Sequence, residues 1–486
     1  MQALVGAARD FLATALATCV AAAGTAAMQA EDAEAWTRFR GPNGSGVAES
    51  EGLPAQLDPE DGVRWRTPLP PGRSSPVLSD ELVLLTGYED EALLVLALER
   101  TTGEVRWRRE APRDRVSKVD ARNDAASPSP VVAGDRVVAF FPDYGLVAYG
   151  LDGEPAWRVP LGPFDNMYGM GASPVVEGER VLLACDQSTG SYLLAVSLAD
   201  GEELWRTPRP EARSGHCTPI VYRPENAGPQ LLLPGSFLLD AYDLASGKKV
   251  WWASGLSFEM KSVPVLHKGL VFVNGYGSPM NQPGNQVEVP TFAEALAAGD
   301  ADGDGRIAPA EMPESRAKAW FAFVDLDGDG HLTDGEWAYL EAALGSLNGM
   351  LAIRAGGTGN RTDEATVWSY RRSVPQLPSP LVYRDVLYML NDSGGLLVAF
   401  RPEDGEVLTK GRLEAAQDNY YASPVAGGGR VYFVSESGIV TVLPAGGSFE
   451  PTSTTELDER CYTTPALSRG RVFLRTEQAL YCFGDG

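Results

Sequence analysis

The stretch GASPVVEGERVLLACDQSTGSYLLAVSLADGEELW, Gly171 to Trp205, holds one full copy of a unit that recurs along the chain. It opens on a small or polar residue, a proline and aliphatic residues (Ser173, Pro174, Val175). A turn and the β-rich run GERVLLACD follow, then a third strand, a glycine turn and a tryptophan. The opening element recurs at Pro76, Pro130, Pro174, Pro219, Pro264, Pro380, Pro424 and Pro465, at intervals of 54, 44, 45, 45, 116, 44 and 41 residues. Strand-length apolar runs, turn residues between them and a near-constant period fit a four-stranded antiparallel blade. Eight openings predict eight blades. The eighth ends after three strands, whereas GVRWRTPLP around Trp65 has the pattern of an outer strand with no blade before it. A strand over residues 62–70 is therefore expected to complete the last blade, which leaves the ring without a broken edge. The expected fold class is all-β: an eight-bladed β-propeller closed by pairing of its N- and C-terminal strands.

The stretches Ala97–Trp107, Ala195–Trp205 and Ala241–Trp251 resemble the tryptophan-docking repeat of pyrroloquinoline-quinone-like propellers. The segments WTRFRGPNGSGVA (Trp36–Ala48) and NYYASPVAGGGRVYFVSESGIVTVL (Asn419–Leu443) resemble secreted bacterial members of that group. The resemblance implies that each tryptophan packs between neighbouring blades. VLTKG and FEPTS stand where blades six and seven would carry theirs, so other side chains must make those contacts.

The interval of 116 residues exceeds its neighbours, so blade five contains an insertion. VPVLHKG and LVFVNGYG should begin the blade, and NGMLAIRAGG and ATVWSY should end it. Between them, DADGDGRIAPAE puts Asp300, Asp302 and Asp304 at loop positions 1, 3 and 5, Gly305 at the turn and Glu311 at position 12. DLDGDGHLTDGE repeats this with Asp325, Asp327, Asp329, Gly330 and Glu336. Alternate carboxylates along a tight loop converge on a hard cation, Arg306 and His331 offer backbone carbonyls, and the last Glu closes the shell with two oxygens. The reading is an EF-hand pair with two Ca2+ sites, its loops bridged through Ile307 and Leu332. Thr291 and Glu294 form a capping box, and two apolar sets, Trp320, Phe321 and Val324 and then Trp337, Leu340 and Leu344, are expected to form the module's own small core. Pro313 directly after the first loop argues against wide opening on binding, so calcium is read as structural. The expected divisions are 1–30 signal peptide, 36–285 the first blades, 289–347 the EF-hand pair and 348–486 the remaining blades.

Arg9, an apolar stretch from Phe11 and small residues around Ala26 to Ala30 read as a secretory signal peptide, hence a secreted or periplasmic protein. The apolar run is too short to span a membrane. Thr18 before Cys19 argues against a lipid anchor. Cys185, Cys217, Cys461 and Cys482 form no disulfide framework and read as buried thiols. The 486 residues carry a formal charge of −24, against nucleic acid and anionic membranes as partners.

Quinone-dependent dehydrogenases belong to the group resembled, and the resemblance implies a cofactor at the funnel mouth under a ring of adjacent cysteines. No two cysteines here are adjacent, so the quinone is not expected. Residues just before each first strand should ring one mouth of the tunnel: Arg73, Asn123, Asp124, Tyr168, His216, Lys261, Gln376, Tyr420 and Arg460. They could grip a small polar ligand or simply line a wet opening. His216 would need a carboxylate partner to act as a base. The expected function is a non-catalytic binding or assembly scaffold with a protein or cell-envelope partner. The alternatives are a quinone-dependent oxidoreductase with an atypical pocket, or a hydrolase or lyase at the tunnel mouth.

Overall fold

The computed structural model describes residues 36–113, 115–278, 281–312, 314–415 and 418–484. The leader, Cys19 and Pro313 lie outside them. The strands form eight sheets in chain order. In blade two, Val131–Ala133, Arg136–Phe141, Gly145–Gly150 and Pro155–Val159 pair antiparallel in succession. The two middle strands are almost wholly buried and the outer one alternates. A middle strand has a blade on each face, so its sequence is an unbroken apolar run.

Blade eight is built from both ends of the chain. Val63–Pro68 pairs antiparallel with Ala479–Phe483, and Trp65 lies opposite Cys482 and Arg66 opposite Tyr481. Blade five consists of Val265–His267, Leu270–Gly275, Gly349–Arg354 and Thr366–Tyr370, so the insertion leaves between its second and third strands. A short strand, Gly359–Asn360, crosses back and pairs in parallel with Trp251–Trp252, giving blade four a fifth strand.

The residue before each opening proline has a defined task. Its backbone is extended, and its N–H donates to the hydroxyl of its counterpart one blade on. Ser75 N–H reaches Ser129 Oγ (2.9 Å), Ser129 reaches Ser173 (3.0 Å) and Ser173 reaches Thr218 Oγ1 (3.0 Å). Val263 N–H donates to Ser379 Oγ (2.9 Å), Ser379 to Ser423 (3.0 Å), Ser423 to Thr464 (3.0 Å) and Thr464 back to Ser75 (3.0 Å). Blade five alone has an aliphatic residue here, Val263. Blade four reaches it instead through Cys217 Sγ and the Ser262 carbonyl, at 3.3 Å.

At the rim, tryptophans dock on the next blade. Trp107 Nε1 donates to the Leu151 carbonyl (2.8 Å), Trp157 to Leu198 (2.9 Å) and Trp368 to Pro402 (2.8 Å). Gly153 lies against the Trp107 ring with φ of 86°, and a Cβ there would sit 2.9 Å from the indole. Glycine thus serves both the left-handed turn and the close approach. In blades six and seven Thr409 and Ser453 take the tryptophan's register position. Tyr388 Oη there accepts from Gly446 and Gly447 N–H, each at 3.2 Å.

Blades three and four share a buried ion cluster. Arg209 lies opposite Asp186 (Nε–Oδ1 2.9 Å) and Asp240 (3.4 Å), and donates to Tyr242 Oη at 2.7 Å. The Arg209, Asp186 and Asp240 side chains are 0–2% exposed. Burial raises the Asp186 carboxyl above its ordinary value, with Arg209 pulling the other way.

Trp36 to Ser50 forms a plug across one mouth of the ring. The carbonyls of Trp36 and Thr37 accept from Leu78 and Val132 of blades one and two (2.8 and 2.7 Å). Arg38 donates to the Pro219 carbonyl (2.6 Å), Arg40 to Pro380 (2.8 Å), and Asn43 Nδ2 to Val221 (2.8 Å). Val47 bridges Ala426 of blade seven, and Ser50 Oγ accepts from Gly470 N–H at 2.9 Å in blade eight. FRGPNGSG is therefore a turn packed on the ring, with Arg40 and Asn43 both at positive φ.

Candidate functional site

Two regions collect the residues singled out above. In the insertion, Phe292–Gly299 and Asp334–Leu344 are α-helices, each started by a capping box (Thr291 with Glu294, Thr333 with Glu336). Ile307 and Leu332 exchange backbone hydrogen bonds of 3.0 and 2.8 Å. Gly305 and Gly330 turn the acidic loops at φ of 77° and 84°. Carboxylate oxygens of Asp300, Asp302 and Glu311 lie within 4.8 Å of one another, as do those of Asp325, Asp327 and Glu336. Glu311 accepts from Ala301 N–H (2.8 Å) and Ala308 N–H (2.9 Å), and these bonds hold its carboxyl below the usual range. Glu336 is held by Leu326 N–H at 2.8 Å. Asp304 and Asp329 stand apart from the triads: Arg306 lies 3.2 Å from Asp304 and 2.6 Å from Asp329, linking the loops. His331 Nε2 is 4.0 Å from Asp304. Six of the ten expected ligand residues thus converge as carboxylates, while this ion-pair bridge occupies the side chains of the other four.

The module is docked on the propeller, which its sequence did not foretell. Phe321, Val324, Trp337, Leu340 and Leu344 share one core with Phe237 and Leu238 of blade four. Phe237 packs on Tyr339 (5.6 Å), Phe258 on Phe323 (5.7 Å), and the Arg213 guanidinium lies 4.8 Å from the Phe323 ring. Trp320, expected in the core, is 36% exposed. Arg316–Trp320 is a 3-10 turn, so Trp320 does not share the α-helical face of Phe321–Val324.

At the open end of the tunnel the structure brings Arg73, Asn123, Tyr168, His216, Lys261 and Gln376 around one cavity of about 220 Å3. Its floor is Phe39 of the plug, so the tunnel is blind. Three expected mouth residues are elsewhere. Tyr420 is 1% exposed in the core and Tyr421, one step along the extended chain, takes the mouth. Tyr462 lines the cavity in place of Arg460. Asp124 turns away, its Oδ1 accepting from Ala126 N–H (2.8 Å) and Ser127 Oγ (3.0 Å). Arg122, not anticipated, joins the lining and pairs with Asp120 at 2.7 Å.

His216 is not set up as a base. Its Nε2 has no hydrogen-bond partner among the described residues, and burial together with the nearby Lys261 charge pushes its pKa down to about 3. Asp120, the one carboxylate of the lining, is held at about 2, chiefly by its Arg122 bond. Asn123 Nδ2 donates to the Tyr168 carbonyl (2.8 Å) and Gln376 Nε2 to Tyr276 (3.1 Å). Cys185, Cys217, Cys461 and Cys482 are free and buried. On the opposite face, a shallow depression of about 1330 Å3 beside Trp36 carries arginines already paired, Arg106 with Glu99, Arg223 with Glu177 and Arg469 with Asp80.

A family model described as "Outer membrane protein assembly factor BamB" matches residues 50–275 and 331–484, leaving out the first part of the insertion. Among solved structures, BamB from Moraxella catarrhalis superposes with a TM-score of 0.53 at 12% identity, over 87% of this chain and 98% of that one. Quinohemoprotein alcohol dehydrogenase ADHIIG from Pseudomonas putida HK5 gives 0.53 at 12%, over 93% and 80%. The computationally designed Ika8 protein gives 0.51 at 8%, over 89% and 100%. At such identities these likenesses concern the fold alone. No curated protein matches in sequence.

Proposed function

The chain belongs to the family described as outer membrane protein assembly factor BamB, and on that premise we propose that it is a non-catalytic assembly scaffold of the cell envelope with protein partners. Family membership carries this reading. The cavity supports it, because its only histidine is neutral and without a carboxylate, and its one acid is spent on an arginine. Residues 1–30 act as the export signal. Among the described residues no helix is long and apolar enough to cross a membrane.

The insertion, residues 289–347, is an EF-hand pair that holds two Ca2+ ions in a structural role. Asp300, Asp302 and Glu311 hold one and Asp325, Asp327 and Glu336 the other, with the Arg306 and His331 carbonyls as further donors. Asp304 and Asp329 complete the shells after exchanging their Arg306 contacts for metal. Hard carboxylate oxygens alternating along a glycine turn suit calcium, and ten acidic against three basic side chains over 300–336 leave a charge that two ions offset in part. Calcium titration of chelated protein tests this: two sites in the parent and one in each of Asp300→Ala and Asp325→Ala. Two ions bound by both variants would refute the assignment. The scaffold reading is tested by crosslinking and co-purification from the native envelope, where a defined protein partner is expected. Incubation with pyrroloquinoline quinone, calcium and a redox dye is expected to give no turnover on alcohols or sugars; turnover would overturn the reading.

A further inference from the structure

We propose that the axial pocket is a binding site for a small organic anion, one carboxylate or phosphate group carried on a ligand of about one ring. This goes beyond the scaffold reading, which needs no small ligand.

Size comes first. The cavity, about 220 Å3, is below the ~300–1,000 Å3 typical of sites for drug-sized molecules. Charge comes second. The chain is strongly acidic overall, at −24, yet the cavity is lined by Arg73, Arg122 and Lys261 against one carboxylate, Asp120. Arg40, in the plug and outside the cavity lining, is 0% exposed and bonds the Pro380 carbonyl, while its Nε and Nη1 have no partner. Burial lowers the Arg40 pKa, to about 9.

The mouth repeats the pattern. Arg73 lies over the Tyr462 ring at 4.2 Å, and its Nη1 is buried without a partner. Its nearest carboxylate is Asp124, whose Oδ2 lies 3.9 Å from Arg73 Nε, a long pairing that leaves Nη1 free. Lys261 lies over Tyr168 at 5.1 Å and pairs with Glu259 at 3.0 Å. Buried cationic donors without acceptors are costly. An anion would supply the missing acceptors, in the fork geometry that arginine favours. Tyr421 and Tyr462, with rings 5.1 Å apart, offer faces to a ligand ring. The blind tunnel focuses the positive field on its single open end.

Calorimetric titration of the mature full chain, calcium present, with D-glucuronate, benzoate, D-glucose 6-phosphate and neutral D-glucose tests the proposal. At least one acidic probe is expected to bind saturably, at least about tenfold tighter than glucose and more weakly as salt is raised. The carboxylate and phosphate arms identify the preferred group. Arg73→Met and Lys261→Met should each weaken that binding about tenfold or more, the scale of one lost charge-assisted bond, while Arg469→Gln on the opposite face should not. Arg122→Gln, at a side chain 52% exposed, should also weaken binding. Silence from all three acidic probes, equal binding of glucose, or full affinity in folded Arg73→Met and Arg122→Gln would overturn the assignment.

Discussion

Arg209 gives the sharpest test of how the ring is held. Replacing it with methionine keeps most of the apolar stem but leaves Asp186 without its cation, while Asp240 keeps Lys249 at 3.0 Å, in a site with 0–2% exposure. Breaking a buried pair from one side costs about 3–5 kcal/mol. Unfolding entropy is about 2.1 cal/mol/K per residue, so for a ring of about 450 residues melting as one unit Tm should fall by about 3–5 °C. The sign with pH follows from Asp186. Its folded pKa is raised by burial, so its ionised form disfavours the fold, and stability is lost as pH climbs from the unfolded value of 3.8 through the folded one. Arg209 offsets that rise, so Arg209→Met raises the pKa further, and its deficit should grow with pH across the window above 3.8. Scanning calorimetry of parent and variant at pH 4.5 and 7.5 reads both effects. A Tm within about 1 °C of the parent at pH 7.5, or a deficit that shrinks with pH, would refute the reasoning.

Other outcomes follow from the seams between blades. Gly103→Ala would put a Cβ 2.4 Å from the Trp65 ring at φ of 75°, so it should destabilise by about 1–3 kcal/mol in thermal unfolding; an unchanged Tm would contradict the docking. Val263→Thr restores a hydroxyl to the one blade that lacks it and should stabilise by about 0.5–1.5 kcal/mol, read as a higher Tm. Burial pushes the Cys185 thiol up to about 12 and those of Cys461 and Cys482 to about 11. Native protein at pH 8 should therefore leave these thiols unalkylated until denatured, by mass spectrometry. Chelating calcium should lower Tm and open residues 276–348 to protease before the blades, since at about 100 times Kd the ion contributes about 2.7 kcal/mol; identical digestion with and without chelator would tell against a structural ion.

The eight openings and the closing strand were legible because blades repeat, and a repeated Pro-aliphatic start with a fixed turn reports the same local structure each time. The placement of Trp65 beside Tyr481 needed only the missing fourth strand. The serine or threonine before seven of the eight prolines was visible as a residue class, but its task depends on the neighbouring blade, which local pattern does not encode. The same limit hid the Arg209 cluster, whose members come from different strands, and the docking of Tyr339 on Phe237 and of Phe323 on Phe258. At the tunnel mouth the error was one residue of pleat: Tyr420 and Tyr421 point to opposite sides, and only packing decides which one faces the cavity. Asp304 and Asp329 fit the loop spacing, yet Arg306 reaches both of them, a contact between loops 25 residues apart in sequence.

The strand around Trp65 has a consequence for biogenesis. Arg66 and the Tyr481 hydroxyl that it bonds are 415 positions apart, and the plug ahead of that strand rests on blades one, two, four, six, seven and eight. A chain delivered N-terminus first must keep its leading segment unoccupied until the last blade has emerged, because closing so long a loop is the slow step. Blades one to seven can stack as they arrive, but the circle locks only on completion, and a chain truncated before Ala479 would be left with an unpaired outer strand and an open rim.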